Sequence, residues 1–307
     1  MLRPNRYDTD GKGQVAVGNP DTWTADEADF PAWQESAAGR VTPVELKTDV
    51  AHSARMYDYF LGGKDNFPAD RAAAQQALAV FPEIPLAARI NRAFLHNATR
   101  YAVESGIRQF LDVGTGIPTR PNLHEIAQGI APESRVVYVD NDPIVLAHAR
   151  ALLTSSPRGR TAYVDEDLRD PGRILASEDL RETLDLTRPV ALSLIAVLHF
   201  LSKDEQREVV GELVAAVPSG STLALTHGTS DYDPEHAERL AAVYRAQGIN
   251  ITTRTRAQVE ELLDGLDLIG PGVREIHLWT ADGSPVEFTA EAAAAGRAIY
   301  AAVGRKP

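Results

Sequence analysis

The stretch Gln109-Phe110-Leu111-Asp112-Val113-Gly114-Thr115-Gly116-Ile117-Pro118 constrains this chain more than any other. A short apolar run enters a turn with two glycines. A second apolar run, Val136-Val137-Tyr138-Val139-Asp140, follows and ends in an acid. Together they predict a βαβ unit of about 30 residues, with a glycine loop at the end of one strand and a carboxylate at the end of the next. Open α/β sheets hold their ligands in the crevice outside the carboxyl ends of the strands. The rest of the chain is therefore read by its distance from that crevice.

From residue 108 onward, strand and helix patterns alternate. Strands are expected over 109–113, 135–140, 162–165, 190–196 and 222–226. The run at 190–196 is continuously apolar, as a central parallel strand should be. Helices are expected to start near Pro121-Asn122 and at Pro143, which suits a first helical position, and then to cover 171–184, 203–217, 234–246 and 255–263. The segments 266–269, 275–278 and 298–303 can pair antiparallel at the sheet edge. The expected fold is α/β, a Rossmann-like, doubly wound, mostly parallel sheet of seven strands. Before it, helices are expected from 49 to 61, stopped by Gly62-Gly63, from 70 to 81, and from 85 to 105. They predict a helical cap over 44–106 that stands apart from the sheet domain at 107–307. Residues 1–43 are polar and without period, and read as a flexible tail. Trp23 and Trp33 in it are the residues that could dock on the body.

The net charge of −12 argues against nucleic acid as a partner, because phosphate binding requires a positive footprint. The absence of cysteine removes disulfides, thiolate metal sites and cysteine nucleophiles. No metal centre is expected. With no long apolar window and no apolar leader pattern, a cytoplasmic protein that does not span a membrane is expected. At 44% apolar residues the chain can bury a sizeable core.

The chemistry of the crevice can be read residue by residue. Gly114 and Gly116 let the backbone turn sharply and approach a ligand. A pyrophosphate loop would carry a third glycine and free helix amides. Here that place is Thr119, and Pro118 and Pro121 each lack an amide donor. The loop suits a ligand without phosphates, and Asp112 offers an acid to an amine. Asp140 can accept both hydroxyls of a ribose. It can equally cap the next helix, a task open to Asn141 or Asp142 as well. The acids of 165–170, followed by Leu168, can meet an adenine amino group and its flat face, or form a solvated loop. His199, after the fourth strand, is placed near the crevice, or closes the strand-to-helix turn structurally. The ligand these residues suggest is adenosine-like, phosphate-free and amine-bearing, as S-adenosylmethionine is. NAD fits poorly.

The segments Ala54-Arg55-Met56-Tyr57-Asp58-Tyr59-Phe60-Leu61-Gly62-Gly63-Lys64-Asp65-Asn66, Phe110 to Gly116, Val137 to Pro143, Asp167-Leu168-Arg169-Asp170-Pro171 and Ala196-Val197-Leu198-His199-Phe200 resemble an actinobacterial family of S-adenosyl methyltransferases, formerly a domain of unknown function. The resemblance covers about residues 44–305. The Gly-Gly-Lys-Asp-Asn segment is specific to that family, whereas the glycine loop alone marks only the broad class I methyltransferases. The resemblance implies that Asp112, Gly114 and Gly116 cradle the methionine part and that Asp140 holds the ribose. It implies that Asp167 and Leu168 flank the adenine, and that Tyr57, Lys64, Asp65 and Asn66 close the site from the cap. Thr115, Asn141, Ala196 and Val197, inside the matching segments, complete the candidate cofactor residues.

The expected activity is S-adenosylmethionine-dependent methyl transfer to a small molecule, releasing S-adenosylhomocysteine. A non-catalytic regulator that binds S-adenosylmethionine is the alternative. Displacement at a sulfonium requires a base only when the nucleophile starts protonated. His199 is the first candidate for that role and His227 the second, with Tyr57, His52 and Asp65 behind them. Neither the acceptor nor the oligomeric state is encoded legibly.

Overall fold

Both apolar runs around the glycine turn are strands, β1 (Gln109–Val113) and β2 (Arg135–Asp140), and all but Arg135 are buried. Successive side chains point to opposite faces, so each strand feeds two cores at once. Leu111, Val113, Val137 and Val139 join one core and Phe110, Val136 and Tyr138 the other. The structure, a computed structural model, describes residues 46–152 and 154–307. The expected tail over 1–43, with Trp23 and Trp33, lies outside the described residues.

Three helices precede β1: α1 (Ser53–Phe60), α2 (Pro68–Val80) and α3 (Ile84–Glu104). Beyond β1 come α4 (Leu123–Ile130), β2, α5 (Pro143–Leu152), β3 (Arg160–Asp165), α6 (Pro171–Ala176), α7 (Glu178–Thr183) and β4 (Ala191–Leu194). Then follow α8 (Lys203–Ala215), β5 (Thr222–Gly228), α9 (Pro234–Ala246), α10 (Arg256–Glu260), β6 (Asp267–Leu268), β7 (Arg274–Glu275), α11 (Ala290–Gly296) and β8 (Ile299–Arg305). The sheet order is β3-β2-β1-β4-β5-β8-β6, with β7 also on β8. β1 to β5 pair parallel, and β8 runs antiparallel to β5. The chain leaves β1 towards β2 on one side and returns to β4 on the other. The topological switch point, where such sheets bind ligands, therefore lies beside the glycine loop.

Three expectations are corrected. The sheet has eight strands rather than seven. The segments expected at 266–269 and 275–278 give two short strands, β6 and β7, separated by Gly270-Pro271-Gly272, where both glycines have positive φ, and they meet opposite ends of β8. The helix expected over 171–184 is two helices meeting at Ser177, whose ψ of 136° is extended. Finally, α3 is not only a cap helix. Its C-terminal half packs Leu95, Ala102 and Val103 on Phe110, Val136 and Ala191, so it is also a layer of the sheet. That double role carries its N-terminal half over the crevice.

Candidate functional site

A cavity of about 750 Å³ opens at the carboxyl ends of β1, β2, β4 and β5. Its floor is the glycine loop. Gly114 has φ +73°, and a Cβ there would stand 2.4 Å from a Val197 methyl, so a side chain is excluded twice over. The Gly114 and Thr115 amides donate to the Val139 carbonyl at 2.8 and 3.2 Å, which pins the loop to β2. The Gly116 amide donates to Asp140 Oδ2 at 2.8 Å, and the Asp142 amide to Asp140 Oδ1 at 3.0 Å. The glycine loop and the acid expected to work together are thus joined directly. At the end of β4, Ala196 has φ +54°, a strained value for a residue with a Cβ. Its amide donates to Thr226 Oγ1 at 2.8 Å, which holds the turn open over the crevice.

Two acids are buried on this floor. Burial pushes the Asp112 carboxyl up to about 6, against the Thr115 hydroxyl that donates to it at 2.9 Å. Burial also raises Asp140, against the two amides it accepts. Leu168 is buried at the cavity wall after β3, and Asn141 Nδ2 donates to Asp167 at 3.0 Å. The acid of that loop is accordingly held beside the end of β2.

Of the expected cofactor residues, Tyr57, Asp112, Gly114, Thr115, Gly116, Asp140, Asn141, Asp167, Leu168, Ala196 and Val197 all line this one cavity. Lys64, Asp65 and Asn66 do not. They form a turn closed on Asp58, which accepts from the Asp65 amide at 3.0 Å and from Asn66 Nδ2 at 2.7 Å. A Cβ at Gly63 would fall 1.9 Å from the same carboxylate. The packing of that turn requires Gly63 and Asn66, and none of Lys64, Asp65 and Asn66 lines the cavity.

The two histidines are separated by the geometry. His227 is fully buried behind the cavity, with Nδ1 2.8 Å from the Gly228 carbonyl and Nε2 3.0 Å from Gln206 Oε1. Burial lowers it to about 4. It therefore acts as a neutral tie between strand and helix. His199 lines the cavity, and its Nδ1 is buried with no partner among the described residues. Burial, and secondarily the neighbouring His227, lower it to about 3, so it stays neutral above pH 5.

Several cavity residues had no sequence signal tied to the crevice. Arg92 on α3 reaches the glycine loop, and its Nη2 donates to the carbonyls of Thr119 at 2.7 Å and Pro121 at 2.9 Å. It has no ion-pair partner among the described residues, and it is the cation that offsets Asp112. Asn91 beside it is 1% exposed. Its one legible trace is a polar residue on an otherwise apolar helix stripe of Ile84, Ala87, Ala88, Leu95 and Ala98. Asn91 Nδ2 donates to the Tyr57 hydroxyl at 2.9 Å, and that hydroxyl donates to the Ala88 carbonyl at 3.1 Å. This fixes the amide orientation and leaves Asn91 Oδ1 buried without a donor.

The cap is fastened to the floor by charge. Arg55 on α1, 3% exposed, stands 3.5 Å from Asp70 at the start of α2 and 3.4 Å from Asp142 at the start of α5. Asp142 in turn donates its amide to Asp140. His52 lines the cavity 3.1 Å from Asp142.

The donor set at this crevice suits an adenosyl amino acid. It offers a carboxylate bound to backbone amides for diols, a buried acid for an ammonium, an unpaired guanidinium for a carboxylate, and no pyrophosphate cradle. The known proteins that this chain resembles agree with that chemistry. It is 48% identical to a crystallised DUF574-family protein of Streptomyces avermitilis, over 86% of this chain and 100% of that one, with a TM-score of 0.80. A crystallised Thermobifida fusca protein, given a provisional methyltransferase name, is 39% identical over 87% of this chain and 99% of its own, with a TM-score of 0.77. A Mycobacterium avium protein with a provisional S-adenosyl-L-methionine-dependent methyltransferase name is 28% identical over 194 residues, 62% of this chain and 59% of that relative's length. Residues 40–307 match the family model described as S-adenosyl methyltransferase, and the chain belongs to that family.

Proposed function

We propose that this protein transfers the methyl group of S-adenosylmethionine to a small molecule held in the same cavity. The observation that carries this reading is Asp140, a buried carboxylate that ties the glycine loop to β2 and faces the cavity between that loop and Asp167. In this reading Asp140 holds the ribose, and Asp167 and Leu168 meet the adenine. Asp112 faces the methionine ammonium and Arg92 its carboxylate. A volume of about 750 Å³ lies in the range of small-molecule sites.

S-adenosylmethionine supplies a methyl group already activated on a sulfonium. The acceptor's lone pair forms the new bond to the methyl carbon while the carbon–sulfur pair leaves with sulfur, and an O–H or N–H acceptor gives up its proton. The protein's part is to align the two molecules and exclude water. Incubation with S-adenosylmethionine carrying a labelled methyl group and a small-molecule extract tests this. Label appearing in an extracted small molecule supports transfer. Tight cofactor binding with no transfer to any fraction favours the regulatory alternative.

Asp112 gives the reading a pH signature. At pH 6 about half of this carboxyl is protonated in the free protein. An ammonium beside it favours the ionised form, so binding expels the proton. Calorimetry in buffers of different ionisation enthalpy is expected to show about half a proton released per S-adenosylhomocysteine at pH 6 and almost none at pH 8. Affinity is expected to fall about tenfold from pH 7 to pH 5, since ionising Asp112 becomes part of binding. Asp112→Asn is expected to abolish both effects. Their survival in that variant would exclude Asp112 as the ammonium partner.

A further inference from the structure

The part of the cavity away from the glycine loop is a hollow in an apolar core. Phe60 and Phe81 from the cap, Leu240 and Tyr244 from α9, and Ile251 and Ile299 belong to one hydrophobic cluster and also line the cavity. The aromatic rings are set at angles, with Phe200 and Tyr244 6.4 Å apart and tilted, and Phe81 edge-on to His236 at 5.2 Å. Of the formal charges on this side, Asp233 and Arg297 are exposed at the rim and Glu83, beside Phe81, is half-buried. An apolar hollow of this kind forfeits packing unless an apolar molecule fills it.

Three residues that line the cavity carry a buried polar atom with no partner among the described residues: Asn91 Oδ1, His199 Nδ1 and His236 Nε2. The Asn91 carbonyl oxygen can only accept. The His199 imidazole, which is neutral, has one nitrogen free to accept. Arg92, the unpaired cation near Asn91, lies towards Asp112 and the glycine loop rather than in the hollow. A buried acceptor left without a donor is costly, so the molecule that fills the hollow completes Asn91 Oδ1 by bringing an O–H or N–H group. A carboxylate would bring only further acceptors, together with a charge that no cation in the hollow offsets.

We infer that the methyl acceptor is a neutral, ring-bearing molecule presenting a hydroxyl or amine, seated between the aromatic wall and Asn91. This rests on the methyl-transfer reading above. With a hydroxyl acceptor, the oxygen bonds to the methyl carbon, sulfur takes the carbon–sulfur pair, and the released proton passes to the neutral His199 imidazole. The sulfonium charge is thereby replaced by an imidazolium charge, and the step balances.

The test begins by loading the protein with S-adenosylhomocysteine and verifying saturation by calorimetry. Failure to load overturns the cofactor reading itself. The loaded protein is then titrated with 2-naphthol, 2-methoxynaphthalene, 2-naphthoate and glucose. The expected order is 2-naphthol tightest, the methyl ether about tenfold weaker, and no binding by naphthoate or glucose. In Asn91→Leu the preference for 2-naphthol over its ether is expected to shrink several-fold. Should that variant fail to fold, the wild-type order decides alone. Naphthoate or glucose binding as well as 2-naphthol, or no arene binding to the loaded protein, would overturn the inference.

Discussion

Replacing Arg55 with methionine is expected to destabilise the protein by about 3–5 kcal/mol, the usual consequence of removing one member of a buried ion pair. The guanidinium lies between two carboxylates that are themselves buried, Asp70 and Asp142, at 3.5 and 3.4 Å. Without it, both must protonate or stay charged in a medium of low polarity. The effect is expected to reach beyond stability. Asp142 donates its amide to Asp140 at 3.0 Å, and its Oδ1 accepts from the Ile144 amide at 2.9 Å. Loosening Asp142 therefore loosens the acid at the cavity floor. Denaturant unfolding of Arg55→Met and of Arg55→Met/Asp142→Asn checks this. The double variant is expected to lose less than the sum of the two single changes, because neutralising Asp142 removes one of the stranded charges. Strict additivity would show that the pair does not couple cap to floor.

Asp140→Ala is expected to weaken S-adenosylhomocysteine binding about a hundredfold. A hydrogen bond to a charged group contributes about 1.5–3 kcal/mol, or roughly ten- to hundredfold in affinity. The upper end applies because Asp140 also holds the Gly116 amide at 2.8 Å, so its loss releases the glycine loop too. Asp140→Asn separates the two contributions. It keeps one acceptor oxygen for the loop and discards the charge, and it is expected to fall nearer tenfold. Calorimetry of the two variants gives the ratio. Equal losses would mean that holding the loop contributes nothing and that the charge of the carboxylate carries the whole effect.

The fold was legible where one strong local pattern decided it. The β1–glycine–β2 unit and the alternation after it were readable because apolar runs, glycines and prolines act within a few residues. The crevice followed from topology, and ten of the expected cofactor residues meet in it because they sit at or just past strand ends that the sheet order brings together, with Tyr57 joining them from α1. The cap was harder to read. Lys64, Asp65 and Asn66 form a dense polar motif, yet their geometry is a turn packed on Asp58. Motif density does not distinguish a turn that must close from a site that must bind. Arg92 and Asn91 lie some twenty residues before β1 on a helix whose direction only the packed structure fixes. The same holds for the far wall, where Leu240, Tyr244 and Ile299 meet Phe60 and Phe81 across about 160 residues or more of chain. Long-range packing of this kind leaves no local period to read.

The crevice at β1 and β2 is read here as a site for an adenosyl amino acid. Isothermal titration of the wild-type protein with S-adenosylhomocysteine, beside NADH as the pyrophosphate-bearing alternative, tests it most directly. One S-adenosylhomocysteine per chain is expected at micromolar affinity, markedly weakened in Asp140→Ala, with no heat from NADH. No heat from S-adenosylhomocysteine, or binding that Asp140→Ala leaves unchanged, would contradict it.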